Sequence, residues 1–325
     1  MLSFCCILLV YSVLIGGGNI NYFGKDKTAF LKAVLPFFII IHHSRVFPED
    51  FTMVGIYVVA LFFFISGYGL EAKRNARGLS IKQLPKSIIN LIIPLVIPIV
   101  IYTFLQLFIY DMTLIEFLDG LCQYKVILPY TWFVITLAIL YIIFYIIATI
   151  ITDTKKVIVF ATIGVLSFSL VGIASGLQAT YHITVSGFLA GVMYRIFEPK
   201  FICSLKGRYY MKYILWVCLF FVSCLCNFPI PIFEYPRVYL QAFVWPILVV
   251  SLLSYLPNIS NQVVTFLSSI SYEIYVCQGI AFLVIRHAIN NSMMALSLVI
   301  ILDIVISYVC NKVTNTFIRK CEQYV

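Results

Sequence analysis

Long apolar runs separated by short polar stretches extend along the whole chain. A run of about twenty apolar residues is long enough for a helix to cross the hydrocarbon core of a bilayer, and about eleven such runs occur here. They lie near residues 3–20, 28–44, 52–71, 87–109, 131–152, 157–176, 183–197, 212–228, 238–256, 263–286 and 293–312. Because a spanning segment must satisfy its backbone hydrogen bonds internally, the pattern predicts an all-α polytopic membrane protein with about eleven transmembrane helices.

The composition agrees with this pattern. Hydrophobic residues make up 62% of the 325 positions and charged residues only 11%, which is more apolar surface than one soluble core can bury. The polar stretches are too short to fold as a soluble domain, including the longest outer loop near 110–130. The ten cysteines are scattered and mostly lie inside apolar runs, so we interpret them as buried side chains and predict neither a metal site nor a bound cofactor.

The net charge of +9 is distributed unevenly between the loops. Most of the 22 lysine and arginine residues fall in alternate loops, whereas Arg45, Lys125, Arg237 and Arg286 fall in the others. Because basic loops stay on the cytoplasmic side of the cell membrane, we predict a cytoplasmic C-terminus and no nucleic-acid partner. The N-terminus is then outside, with residues 1–20 forming an uncleaved helix, since they lack the basic start and the cleavage site of a signal peptide.

The segment KAVLPFFIIIHHSRVF (32–47) places ionisable side chains in an apolar run. Lys32 and His43 are eleven residues apart, which on a helix returns to within about 20° of the same face and separates them by about 16 Å. With Lys32 at the cytoplasmic edge, His43 should lie near the middle of a hydrocarbon layer roughly 30 Å thick, facing protein or water. Pro36 should kink the helix between them. In the alternative, a short tilted helix lets His42 and His43 reach the outer interface.

Two further apolar runs contain residues of interest. In VVALFFFISGYGLEAKR, Ser66 and the glycines beside it permit close helix packing, while Tyr68 and Glu71 approach the next basic loop. In PYTWFVITLAILYIIFY, Trp132 lies where an aromatic anchor is expected at the outer interface. Small-residue packing and interface anchoring are sufficient explanations for these residues when each run is considered alone.

Carboxylates occur in the last two runs. Glu273 lies in FLSSISYEIYVCQGIAF together with Tyr275 and Gln278, and Asp303 lies in the final run. A carboxylate is costly in lipid, so both should face the interior of the helix bundle.

These segments, taken in this order, resemble the membrane acyltransferase family three, bacterial enzymes that acylate cell-surface polysaccharides. The family's basic residue, ten intervening residues and histidine match Lys32 and His43. Its F-F-x-x-S-G-F segment is similar to FFFISGYGL, its tryptophan-phenylalanine span to YTWFVITLAILYIIFY, and its later F-x-x-G helix to SGFLAGVMYR. Its terminal S-Y-x-x-Y-x-x-H segment is similar to ISYEIYVCQG, with Gln278 in place of the histidine.

The resemblance covers roughly residues 25–312. It implies a ten-helix integral-membrane acyltransferase domain over 25–325, preceded by an extra transmembrane helix within 1–24. Because Gln278 does not carry a proton as histidine does, His43 would have to serve alone in proton transfer.

The resemblance also implies an activity. An acyl group, most often acetyl, would move from cytoplasmic acyl-CoA to a hydroxyl of a cell-surface polysaccharide or its lipid-linked precursor, with acetyl-CoA as co-substrate and membrane lipid as the surroundings. His43 would act as general base or carry the acyl group itself. Lys32 and Arg74 would hold the donor phosphates. The other predicted pocket residues are His42, Ser66, Tyr68, Glu71, Trp132, Tyr275 and Gln278.

A transporter or flippase of a glycan-related substrate remains the alternative. His43, Arg45, Glu273 and Asp303 would then line a polar pathway through the bundle. A glycan polymerase or ligase fits less well, because the loop near 110–130 contains no arginine. The two main hypotheses differ in their dependence on acyl-CoA, since only an acyltransferase consumes the thioester and releases free CoA.

Overall fold

A computed structural model describes residues 22–47, 52–109, 112–122, 128–205, 231–288 and 293–322. All regular secondary structure in these ranges is helical, in agreement with the predicted fold class. The helices are α1 Lys25–Ser44, α2 Thr52–Arg77, α3 Leu84–Ile109, α4 Leu114–Cys122, α5 Trp132–Ile150, α6 Thr154–Ala174, α7 Ser186–Leu205, α8 Pro231–Tyr255, α9 Gln262–Ser269, α10 Ser271–Ala288 and α11 Met293–Glu322. Short 3₁₀ turns occupy Ile81–Gln83 and Ala179–Tyr181.

Six of these helices are long and apolar enough to cross a membrane: α2, α3, α5, α6, α8 and α11. A seventh candidate span is α9 with α10 taken as one unit, a pair bent by 66° at the break between them. The predicted number of about eleven spans is therefore not reached in the described residues. The predicted helices at 3–20 and 212–228, and with them the division at residue 24, lie outside the described residues.

Helices α1 and α7 occupy two more of the predicted spans, although they are not among the helices that qualify by length and composition. α1 begins with Lys25, Asp26 and Lys27, and α7 contains Arg195 and Glu198. Both helices pack inside the bundle: α7 crosses α2, and α1 lies against α2, α9 and α10. They are buried mainly by protein, which explains why their sequences tolerate these charges.

Helices α2 and α7 approach each other so closely that glycine is required at the crossing. A Cβ atom at Gly67 would overlap the carbonyl of Phe188, and one at Gly191 would overlap the carbonyl of Phe64. Small residues of this kind allow membrane helices to pack backbone against backbone. The core residues on either side, including Phe63 and Phe64, are completely buried.

The two ends of the bundle differ in charge. One end, called the basic face, carries Lys73, Arg74, Lys82, Lys86, Lys155 and Lys156. Two sets of contacts join neighbouring helices at this face. The Ile81 amide donates to the Thr149 hydroxyl (2.8 Å), and Arg74 contacts Thr152 and Thr154. The other end, called the opposite face, brings together the end of α1, the start of α2, the turn before α5 and the end of α10.

Alanine at Gly67 and at Gly69, two residues apart on α2, should have different effects on stability. At Gly67 the new Cβ would force α2 and α7 apart, and overpacking of this kind costs about 1–3 kcal/mol. At Gly69 no described atom lies within 4 Å of the new Cβ, so the free energy of unfolding should be unchanged or rise by up to about 1 kcal/mol. Thermal unfolding of both purified variants measures the difference, and equal midpoints would contradict the close crossing.

Candidate active site

His43 is the second-last residue of α1, at the opposite face, and its side chain is half-buried. The helix ends because Arg45 adopts a left-handed conformation (φ 55°). Arg286 of α10 donates from Nη2 to the carbonyl oxygens of His43 (2.7 Å) and Ser44 (3.4 Å). The last carbonyls of a helix have no partner within the helix, so Arg286 supplies one and ties α10 to the residue predicted to be catalytic.

Tyr130 covers one face of the His43 imidazole. The two rings are stacked with their centroids 3.9 Å apart and an interplanar angle of 24°. Tyr130 has a φ of 75°, an uncommon conformation for a residue with a side chain, and the Tyr275 hydroxyl donates to its carbonyl oxygen (3.1 Å). Strained residues of this kind often occur at functional sites, where the surrounding structure holds them in place.

The Tyr130 hydroxyl remains protonated at neutral pH. Burial raises its pKa, and the nearby positive charges of Arg286 and Arg45 oppose that shift only in part. The hydroxyl can therefore act as a hydrogen-bond donor beside His43.

The two adjacent histidines have different surroundings. The rings of His42 and His43 are 4.7 Å apart, but His42 packs against α2 at Gly55. A Cβ atom at Gly55 would approach the His42 ring to 2.6 Å, so glycine is needed there. His42 therefore helps to join α1 to α2, whereas His43 faces Tyr130.

Gln278 lies one helical turn from Tyr275 and is completely buried. Its Nε2 donates to the Tyr275 carbonyl oxygen (2.7 Å), while its Oε1 has no hydrogen-bond partner among the described residues. Tyr275 thus lies behind Tyr130, and Gln278 follows one turn later on α10. Among the predicted residues, the structure brings His42 next to His43 and links Tyr275 to His43 through Tyr130.

A cavity of about 380 Å³ opens beside this group. Two of its walls, Tyr130 and Arg286, also contact His43. The remaining lining residues are Tyr102, Pro129, Gly279, Phe282 and Leu283. An occupant of the cavity would lie one side chain away from the imidazole.

On the side toward the basic face, a row of polar side chains, called the tyrosine column, lies between α2, α3, α5 and α10. At its basic end the Tyr145 hydroxyl is 2.6 Å from the Ser87 hydroxyl and accepts from Lys73 Nζ (3.0 Å). One turn further along α5, Tyr141 contacts Ser66. The column continues through Tyr272, which is near Tyr141 and whose hydroxyl donates to the Leu91 carbonyl (2.6 Å), and then reaches Tyr275.

Arg74 and Glu71 form an ion pair at the basic face. Arg74 donates from Nε to Glu71 Oε2 (2.8 Å) and from Nη2 to Oε1 (2.7 Å), and the Glu71 side chain is completely buried. This two-point pair fixes both side chains. Their observed contacts are structural, and their roles in binding donor or substrate remain predictions.

Tyr68 is part of a second structural network. Its hydroxyl lies 2.6 Å from the Phe23 carbonyl oxygen and 2.9 Å from Glu198 Oε2, so one proton serves two acceptors. Glu198 also accepts from the Phe23 amide (2.7 Å) and from Arg195 Nη1 (3.1 Å). The network ties the start of α1 to α2 and α7, far along the bundle from His43.

The other predicted residues are dispersed. Lys32 is exposed on α1, and no hydrogen bond or ion pair joins it to another described residue. Trp132 begins α5 and its ring lies near Tyr181, 6.0 Å between centroids. His43 lies near the end of α1, beside the turn before α5 and Arg286 of α10, and its mid-membrane depth stays a prediction.

The two carboxylates predicted to face inward are buried between α10 and α11. Glu273 accepts a hydrogen bond from Asn311 Nδ2 (2.8 Å). Asp303 is completely buried, and neither carboxylate oxygen has a partner in hydrogen-bonding geometry among the described residues. No contact in the described chain joins either carboxylate to His43.

The sequence did not identify Tyr130 or Arg286 as site residues. Tyr130 follows Pro129 in PYTWF, a segment noted only for its tryptophan. Arg286 is one of the few basic residues on the sparsely charged side, and that rarity is the signal by which the sequence could have identified it. Which ring stacks on His43 depends on tertiary packing and has no local signature.

The arrangement defines a class: a polytopic membrane protein with a half-buried histidine between a polar interior and a cavity at one face. Comparison with protein families matches residues 29–312 to the acyltransferase domain of acyltransferase family 3. The chain therefore belongs to this family and is a membrane acyltransferase. Comparisons with curated proteins and with solved structures give no significant match.

Substitution of Arg74 should destabilise the protein because it leaves the Glu71 carboxylate buried and unpaired. Arg74→Gln should lower the free energy of unfolding by about 3 kcal/mol. The double variant Glu71→Gln/Arg74→Gln should recover much of that loss, because two amides can bond to each other. Thermal unfolding measures both effects, and a single variant as stable as the wild type would show that the pair is unimportant.

Proposed function

We propose that the protein is an O-acyltransferase that moves an acyl group, specifically acetyl, from acyl-CoA at the basic face to a hydroxyl at the opposite face. The proposed acceptor is a cell-surface polysaccharide or its lipid-linked precursor. The observation that carries the proposal is the stacking of His43 on Tyr130, which lines the cavity and also accepts a hydrogen bond from Tyr275 at the end of the tyrosine column. A histidine in this position would join a donor and an acceptor that approach from opposite directions.

His43 would act as a general base. An imidazole nitrogen takes the proton of the acceptor hydroxyl as that oxygen attacks the thioester carbonyl. The tetrahedral intermediate then collapses, the C–S bond breaks, and the thiolate of CoA leaves and receives the proton from the imidazolium. In the other route that the site permits, the imidazole itself accepts the acyl group and passes it to the hydroxyl.

The basic face suits the phosphates of CoA. Lys32 is exposed, and its proposed role is to bind the donor phosphates. Lys73 donates a hydrogen bond to the Tyr145 hydroxyl and therefore lies at the mouth of the tyrosine column. Arg74 is engaged with Glu71, so in this proposal it shapes the mouth and contributes its charge to the surrounding field. The polar groups of the tyrosine column would line the path of the pantetheine arm. The proposed location is the cell membrane, with the basic face and the C-terminus cytoplasmic.

A transporter remains the second candidate because of Asp303. A completely buried carboxylate is typical of proton-coupled or ion-coupled pathways, and Asp303 lies beside the Ser307 hydroxyl. Family membership favours acyl transfer, and the described contacts do not connect Asp303 to His43.

Release of free CoA thiol from acetyl-CoA tests the proposal directly. Purified protein in lipid vesicles would receive acetyl-CoA and a crude glycan extract, with thiol release and labelled acetyl transfer measured together. His43→Gln should lower both rates by at least about a hundredfold, the smaller end of the contribution of a general base. Turnover by the wild type identifies an acyltransferase, since a transporter leaves the thioester intact.

His182→Gln is the matched control. His182 is also buried but lies near Leu177 at the end of α6, away from the site, and should keep turnover close to that of the wild type. Equal loss in both variants would point to misfolding, and full activity of His43→Gln would remove His43 from the mechanism. No turnover of acetyl-CoA by the wild type would favour the transporter.

A further inference from the structure

The cavity beside His43 differs in character from two other cavities of the described chain. One lies between α1, α2 and α8 and the other between α6 and α8, and apolar side chains line both almost completely. Those cavities suit lipid tails or packing. The cavity at Tyr130 and Arg286 is lined by polar groups for much of its surface, as expected for a site that holds a hydrophilic molecule.

Positive charge is concentrated at this cavity. Arg286 lines it, and Arg45 is close enough for its charge to act on both His43 and Tyr130. These are two of the four basic residues on a side of the protein that otherwise has almost none. No carboxylate is among the residues that line the cavity in the described part of the chain.

The size and walls of the cavity also restrict its occupant. At about 380 Å³ it is at the small end of the roughly 300–1,000 Å³ of small-molecule sites, so it holds one or two sugar units. Tyr102, Tyr130 and Phe282 contribute aromatic rings to the lining, although Arg286 covers one face of Phe282 and His43 one face of Tyr130. At Gly279 an added Cβ would approach Pro129 to 3.3 Å, so glycine lets α10 and Pro129 lie close together in the cavity wall.

We propose that this cavity binds the acceptor and that the acceptor is an anionic sugar. Its carboxylate or phosphate pairs with Arg286, its ring packs against Tyr102 and Phe282, and a hydroxyl is presented past Tyr130 to His43. The inference rests on the proposed acyl transfer for its role, but binding to the cavity can be tested without turnover. A uronic acid and a sugar phosphate share the anionic oxygens that an arginine recognises.

Binding is measured first, in a His43→Gln background that blocks turnover. The protein is placed in phosphatidylcholine nanodiscs, which carry no net charge, and its thermal unfolding is followed with methyl β-D-glucuronide, glucose 1-phosphate or methyl β-D-glucoside. The two anionic sugars should raise the unfolding midpoint in a concentration-dependent way, and the neutral glucoside should not. Comparison of the glucuronide with the phosphate shows which anionic group is preferred.

Three arginine variants in the same background locate the binding. Arg286→Gln should weaken the binding of the anionic sugars at least tenfold, and Arg286→Lys should restore part of it because the charge remains. Arg237→Gln removes another arginine from α8, outside the cavity, and should bind as the parent protein does. In the active enzyme, Arg286→Gln should lower kcat/KM for the anionic sugars at least tenfold, and Arg286→Lys should recover part of that loss.

Three results would overturn the proposal. One is the absence of stabilisation by either anionic sugar, and another is equal stabilisation by the glucoside. The third is found in phosphatidylglycerol nanodiscs: the anionic lipid stabilises the protein in a way that depends on Arg286, and neither sugar binds any longer. That result would identify a lipid-headgroup site. Because these readouts need no turnover, their failure is distinct from failure of the proposed acyl transfer, which is measured by CoA release.

Discussion

The carbonyl groups at the end of α1 have no partner within the helix, and Arg286 supplies one. Its hydrogen bond to the His43 carbonyl (2.7 Å) lies at the exposed end of the bundle and joins α10 to the end of α1. That junction places the imidazole next to Tyr130, and the Tyr275 hydroxyl holds Tyr130 in its strained conformation. Tyr130 and Arg286, the two residues that contact His43, also form walls of the cavity.

Behind this junction, contacts at several levels hold the bundle together. Helices α2 and α7 cross closely at Gly67 and Gly191, and the Arg74–Glu71 pair holds two side chains of α2 at the basic face. Polar side chains lie between Tyr145 and Tyr275, and the hydroxyls of Tyr272 and Tyr275 donate to backbone carbonyls. Polar groups in an apolar interior are expensive unless they have hydrogen-bond partners, and these bonds supply them. In the proposed function, this row lines the path of the pantetheine arm.

Periodicity and charge were sufficient to predict the fold class but not every span. Apolar runs identify α3 and α11 directly, since these helices face lipid over much of their length. Helices α1 and α7 coincide with two further predicted runs, and their packing against other helices explains why charged residues interrupt those runs. Spacing selected His43, yet Tyr68 and Arg74 proved to be held in structural networks, because the sequence does not show which partner a polar side chain finds.

The most direct test of the central claim is a structure of the protein bound to S-acetonyl-CoA, a stable analogue in which a thioether-linked ketone replaces the thioester. The account predicts CoA phosphates at the basic face near Lys32 and Lys73, the pantetheine arm along the tyrosine column, and the ketone group next to the His43 imidazole. An analogue bound with its carbonyl far from His43, or entering from the opposite face, would contradict the account.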